Sequence, residues 1–126
     1  MPGAKERTDL GLMSPPAGAC RAQLDRILAS ADFQATDRDR RFLAHVVDEA
    51  LAGRSDRIKA YSIALEVFGR DASFDPQSDP IVRVEAGHLR RALDRYYLGA
   101  GSADPIEITI PKGGHVPLFA WRPAPV

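Results

Sequence analysis

Residues 81 to 97 carry an apolar side chain every three or four positions, and residues 106 to 110 carry one every second position. The first spacing belongs to a helix with one buried face and the second to a strand with one buried face. One regular element cannot serve both periods. The chain must therefore change from helix to strand within the Gly-Ala-Gly-Ser-Ala-Asp-Pro stretch at 99 to 105. Its last third is thus a long helix, a loop and a hairpin.

Asp79-Pro80 supplies the start of that helix, with aspartate as N-cap and proline at the first helical position. Val82, Ala86, Leu89, Leu93 and Tyr96 form the face that packs on a core. Opposite lie Arg83, Val84, Gly87, His88, Arg91, Asp94 and Arg95, with Arg90 on the flank. In the hairpin, Ile106, Ile108 and Ile110 alternate with Glu107 and Thr109. Pro111-Lys112-Gly113-Gly114 supplies the turn, and residues 115 to 119 return, with Pro117 confining that strand to an edge.

Three helical patterns precede this segment. Leu24, Ile27, Leu28 and Ala31 mark a helix from about 21 to 31. Thr36 caps a second, with Asp37 and Asp39 in its first turn and Phe42, Leu43, Val46, Val47, Ala50 and Leu51 as its apolar face. Gly53 stops it. A third runs from about 57 to 68, with Ile58, Tyr61, Ile63, Ala64, Leu65, Val67 and Phe68, and ends at Gly69. Residues 69 to 80, rich in Asp, Ser and Pro, form a loop. The expected fold is mainly α with a C-terminal β-hairpin (α+β). The folded domain spans 19–120, between a disordered arm at 1–18 and a Pro-rich tail at 121–126. In the arm, Glu6 and Asp9 offset Lys5 and Arg7, so it reads as a plain tail.

Composition narrows the function. A chain of 126 residues holds one domain. Lys plus Arg and Asp plus Glu both number 17, so attraction to a polyanion must come from local clustering of cations. Cys20 stands alone, which excludes an internal disulfide and points to a reducing, cytoplasmic setting. No apolar run approaches the roughly 20 residues that span a bilayer, and the first residues lack the apolar core of a signal peptide. His45, His88 and His115 fall on different elements, and no motif of nucleophilic, zinc or phosphate-binding type occurs. Asp48-Glu49 reads as a solvated face. The expectation is no enzyme, no metal and no cofactor.

The basic helix followed by a glycine-tipped hairpin resembles the winged helix-turn-helix effector domain of OmpR/PhoB-type response regulators. The resemblance lies in Val82-Arg83-Val84-Glu85-Ala86-Gly87-His88-Leu89-Arg90-Arg91-Ala92-Leu93 and in Ile110-Pro111-Lys112-Gly113-Gly114-His115-Val116, and it covers about 38–119. The chain also resembles an N-terminal module of bacterial cyclase-like regulatory proteins, in RFLAHVVDEALAG, YSIALEVFGRDASFDPQSDPIVRVEA and PKGGHVP. The resemblance implies a winged helix-turn-helix of three to four helices plus wing, with helix 80–97 in the major groove and hairpin 106–119 as the wing. Val84, Gly87, His88 and Arg91 then face bases, Arg83 and Arg90 lie near phosphates, Arg95 extends the same face, and Lys112 is the wing contact. Loop 70–78 matches the one that meets RNA polymerase. The sheet that opens the family's domain is replaced here by the helix at 21–31.

Two functions follow. One is a DNA-binding transcriptional regulator, dimeric through the extra helix and the exposed Val84, Tyr97 and Leu98. The alternative is a winged-helix module that binds a protein partner instead of DNA. Zero net charge, Gly87 and Glu85, which would repel phosphate from the outer face, favour the second, with the face of the 80–97 helix or loop 70–78 as its docking surface. Outer-face arginines also serve as ordinary solvated surface, paired to acids such as Asp94 one turn away.

Overall fold

A computed structural model describes residues 14–123. In chain order these form α1 (Ala17–Ala29), α2 (Asp37–Leu51), a short 3-10 turn (Ser55–Arg57), α3 (Ala60–Glu66), α4 (Ile81–Leu98), β1 (Ile106–Thr109) and β2 (Leu118–Trp121). The two strands pair antiparallel, with Ile106 opposite Trp121 and Thr109 opposite Leu118. This is the expected α+β layout of helices followed by a hairpin wing.

α4 organises the molecule by packing on α2, α3 and β1, while α1 packs on α2 and β1. Its Val82, Ala86, Leu89, Leu93 and Tyr96 are all buried, as the four-three spacing requires. They meet Phe42, Leu43, Val46 and Val47 of α2, Ile63 and Ala64 of α3, and the inward isoleucines Ile106, Ile108 and Ile110 in one core.

α1 starts at Ala17, earlier than its apolar spacing indicates, and ends at Ala29. Pro16 occupies the N-cap position, and its carbonyl accepts from Cys20 N–H at 3.1 Å. Pro15 and Cys20 are buried, and the Cys20 thiol donates to the Pro15 carbonyl at 3.5 Å. Folded structure thus reaches back into the segment expected to be a disordered arm at 1–18, because two prolines fix the approach to the helix. Residues 1–13, with the Lys5 and Arg7 of that arm, lie outside the described residues, as do 124–126. The expected cap of α2 is present: Thr36 Oγ1 accepts from Asp39 N–H at 3.1 Å.

The helix expected at 57–68 is broken. Ile58 and Lys59 are non-helical, and Ile58 enters the core from this link. Ser62 Oγ accepts from Lys59 N–H at 3.3 Å, and α3 starts at Ala60, three residues later than expected. Serine competes with the backbone for such local bonds, which apolar periodicity does not register. The loop that follows is held by three aspartates. Asp71 accepts from Ser73 N–H at 2.9 Å, Asp75 from Gln77 N–H at 3.0 Å and Asp79 from Ile81 N–H at 3.1 Å. The start of α4 is thereby shifted by one residue from expectation: Pro80, not Asp79, holds the N-cap position and Ile81 is the first helical residue, with Asp79 bonding to Ile81 N–H from just before the cap.

The hairpin is wider than its turn residues suggested. Residues 110–117 form an eight-residue connection, and the return strand is 118–121, where 115–119 was expected. Pro117 has no N–H for the ladder, and His115 turns inward against the Phe42 ring, 6.3 Å between centroids. Trp121 consequently belongs to β2, and Arg122 N–H donates to the Pro105 carbonyl at 2.8 Å. The segment expected as a Pro-rich tail at 121–126 thus contributes its first two residues to the fold.

Tyr97 also departs from expectation. It was to be an exposed dimer contact, yet it is 6% exposed. Its hydroxyl donates to the Ile106 carbonyl at 2.9 Å and accepts from Ile108 N–H at 2.8 Å. One side chain thus satisfies the inner edge of β1, which has no neighbouring strand. β1 widens the buried face of α4 in its last turns, which a helical wheel of α4 alone cannot show. The chain closes above this contact through Gly101, where a Cβ would fall 2.2 Å from the Tyr96 ring.

Candidate nucleic-acid interface

The outer face of α4 is built by the same spacing that fills the core. With the Val82–Tyr96 side buried, Arg83, Val84, His88, Arg91 and Arg95 are exposed and Gly87 is half-buried between them. Val84 is 45% exposed, an apolar patch among cations. Arg91 folds over Gly87, with Nη1 3.7 Å from where a Cβ would stand. Lys112 is exposed beside Gly113, whose φ of 81° only glycine adopts without strain.

The cations on this face are unspent. Among the described residues, Arg83, Arg91, Arg95 and Lys112 take part in no ion pair with an acid. The i,i+4-type pairs of Arg90 or Arg91 with Asp94 do not form. Free guanidinium groups keep the planar donor fork that fits a phosphate or a guanine edge.

Arg90 has a different place from the one expected near phosphate. Its Nε donates to the Ile110 carbonyl at 2.9 Å, and its Nη2 donates to the carbonyls of Pro111 at 2.8 Å and Gly114 at 3.3 Å. The fork is committed to the hairpin. It fixes the wing to α4 and so sets where Lys112 stands relative to Arg83 and Arg91. Flank position on the helical wheel was the available signal, since a flanking arginine reaches a neighbouring element as readily as solvent.

Glu85 is the second correction. It was placed on the outer face, repelling phosphate, but it is only 7% exposed. α2 covers it: Asp39 lies against it from the first turn of that helix, and Arg38 Nη2 stands 3.7 Å from Glu85 Oε2. His88 Nδ1 is 3.3 Å from Glu85 Oε1, so His88 is exposed but partly turned toward this acid. Burial, then the hydrogen bond and the charge of Glu85, push the Asp39 carboxyl up to about 6. Burial pushes Glu85 the same way, but hydrogen bonds from Asp39 and His88, with the charges of His88 and Arg38, hold it below the usual value. The charge of Glu85 and Asp39 is thereby held beneath α4, while Asp94 stays exposed among the arginines of the outer face. In the sequence Asp39 is legible only as a first-turn acid of α2, and nothing there singles out Arg38.

Loop 70–78 is exposed over most of its length and anchored at both ends. Arg70 Nε reaches Asp79 Oδ2 at 2.8 Å, and the Tyr61 hydroxyl donates to the Ala72 carbonyl at 3.3 Å. Among the described residues no helix is long and apolar enough to cross a membrane. Comparison of the chain with family models, with curated proteins and with solved structures found no match.

Proposed function

We propose that the chain is a DNA-binding transcriptional regulator of the winged helix-turn-helix kind, working in the cytoplasm of a bacterium. The observation that carries this is the outer face of α4: Arg83, Arg91 and Arg95 stand exposed without acidic partners, around Val84 and Gly87. α4 would enter the major groove, which admits one α-helix. Arg91 and His88 would meet base edges, Val84 a thymine methyl, and Arg83 and Arg95 the phosphates. Gly87 leaves room for the groove wall. Lys112 on the wing would take a phosphate, a contact that positions the protein without reading sequence.

Zero net charge does not oppose this, because Glu85 is turned inward and leaves Asp94 as the exposed acid beside Arg83, Arg91 and Arg95. One small module buries roughly 600–1,000 Å² on DNA, so a homodimer on a repeated site would supply the remaining affinity. Leu98, 86% exposed at the end of α4, is the candidate self-contact, and loop 70–78 is the candidate surface for RNA polymerase. Replacing Arg91 by Ala tests the assignment. Binding to a preferred duplex should weaken by about 1–3 kcal/mol while non-specific binding changes little; equal losses on all duplexes would remove Arg91 from the base-reading set.

A second reading rests on Val84 and Leu98, which give α4 exposed apolar side chains suited to a protein surface. In it the same face docks a protein partner. Its affinity would be nearly insensitive to salt, because no counterions are released.

A further inference from the structure

We propose that Asp39, Glu85 and His88 form a binding site for a divalent transition-metal ion of the zinc type. One candidate ligand atom from each of the three lies within 4.8 Å of the other two. Asp39 comes from the first turn of α2, while Glu85 and His88 are three residues apart on α4 and so share a face. Such an ion would join the two helices.

The chemistry of the set suits that metal class. Two carboxylate oxygens and one imidazole nitrogen are ligands that zinc accepts, at about 2.0–2.2 Å each. A tetrahedral ion at those lengths holds its ligand atoms roughly 3.4 Å apart; Glu85 Oε1 and His88 Nδ1, at 3.3 Å, already have that spacing, and any separation as wide as 4.8 Å closes by about an ångström or slightly more. Two carboxylates balance a divalent charge, and the fourth position stays open to water. An all-oxygen ion such as calcium would want more ligands and no imidazole.

A second observation points to a ligand. Asp39 is 2% exposed, and its Oδ1 has no hydrogen-bond partner. Buried polar atoms are nearly always paired, and here the unpaired acceptor belongs to a residue of the cluster. Two acids packed together beneath a helix are relieved either by a shared proton or by a cation. Arg38 supplies part of the positive charge from 3.7 Å, but its side chain is 46% exposed and can leave toward solvent when an ion arrives.

The test uses the whole chain, free of any affinity tag, and needs no DNA, so metal binding is read separately from the regulator assignment even though His88 belongs to both sites. Zn²⁺ is titrated in by calorimetry, and Co²⁺ serves as the spectroscopic probe. One ion per chain is expected, with visible Co²⁺ bands of low-coordinate geometry. Asp39→Asn and His88→Gln should each weaken Zn²⁺ binding at least tenfold, whereas Asp48→Asn, at an exposed pair with Arg21, should leave it unchanged. His88 is exposed, so H88Q keeps the fold and the test interpretable even if D39N does not. Absence of Zn²⁺ binding, or binding that survives H88Q unchanged, overturns the proposal.

Discussion

Arg90 of α4 donates from Nε to the main-chain carbonyl of Ile110, 2.9 Å away at the root of the wing. With the further bonds to Pro111 and Gly114, one guanidinium sets the angle between the helix and the hairpin. The wing's own ladder is only four residues long on each side, so this side chain does much of the positioning. Replacing Arg90 by Met keeps the aliphatic stem and removes the donors. Hydrogen bonds from a charged group contribute about 1.5–3 kcal/mol, and a loss of about 2 kcal/mol is expected in urea denaturation. Amide exchange should accelerate at 110–114 and stay slow in α2; uniform acceleration would mean that Arg90 supports the whole core instead.

Tyr97→Phe removes a single oxygen and leaves Ile106 C=O and Ile108 N–H facing an apolar ring. Unsatisfied buried groups cost roughly 1–3 kcal/mol each. The variant should therefore unfold at clearly lower urea, with an unchanged dependence on denaturant. A wild-type midpoint would show that water replaces the hydroxyl at this edge. Burial also pushes the Tyr97 phenol up to about 12, so no tyrosinate absorbance from it should develop at pH 10.

Gly87→Ala separates stability from binding. A Cβ at this position meets only Arg91 Nη1, at an ordinary 3.7 Å. Glycine inside a helix costs about 1 kcal/mol relative to alanine, so the variant should be more stable by up to that amount. If the groove wall approaches the helix here, the same methyl weakens DNA binding. A more stable protein with undiminished DNA affinity would take Gly87 out of the interface.

His115 links stability to pH. Burial first, and then the charge of Arg90, lower its pKa from the ordinary 6.5, and its Nδ1 is buried without a partner. A base whose folded pKa is depressed binds protons more readily when unfolded. Its contribution is complete above 6.5 and is lost as pH falls from there through the folded value. Wild type should lose stability between pH 7.5 and 5 by more than His115→Phe does, as read from urea midpoints. An equal slope in both proteins would place the acid sensitivity elsewhere.

Much of this architecture is legible in the residues. The four-three spacing from Val82 to Tyr96 located α4 and its buried face, and the alternation of Ile106, Ile108 and Ile110 located β1. What escaped was tertiary. Tyr97 and Glu85 each sit at the margin of the buried face, and which margin is covered depends on β1 and α2, elements remote in sequence. The break at Ile58-Lys59 turns on one serine hydroxyl, which apolar spacing cannot sense. In the candidate interface, the exposure of Arg83, Val84 and Arg91 followed from periodicity, and that of Lys112 from the Gly113-Gly114 turn. The commitment of Arg90 to three carbonyls did not, because those carbonyls belong to a loop whose length Pro117 and His115 decide.

The central claim is that α4 and the wing bind DNA through cations left free of internal partners. It is tested most directly by fluorescence anisotropy of the purified chain on duplexes from the region upstream of its own coding sequence, across a salt series. The account predicts a preferred duplex whose affinity falls with salt at a log–log slope of about −3 for each chain bound, as release of counterions by three or four side chains requires. No binding to any duplex at low salt would contradict it.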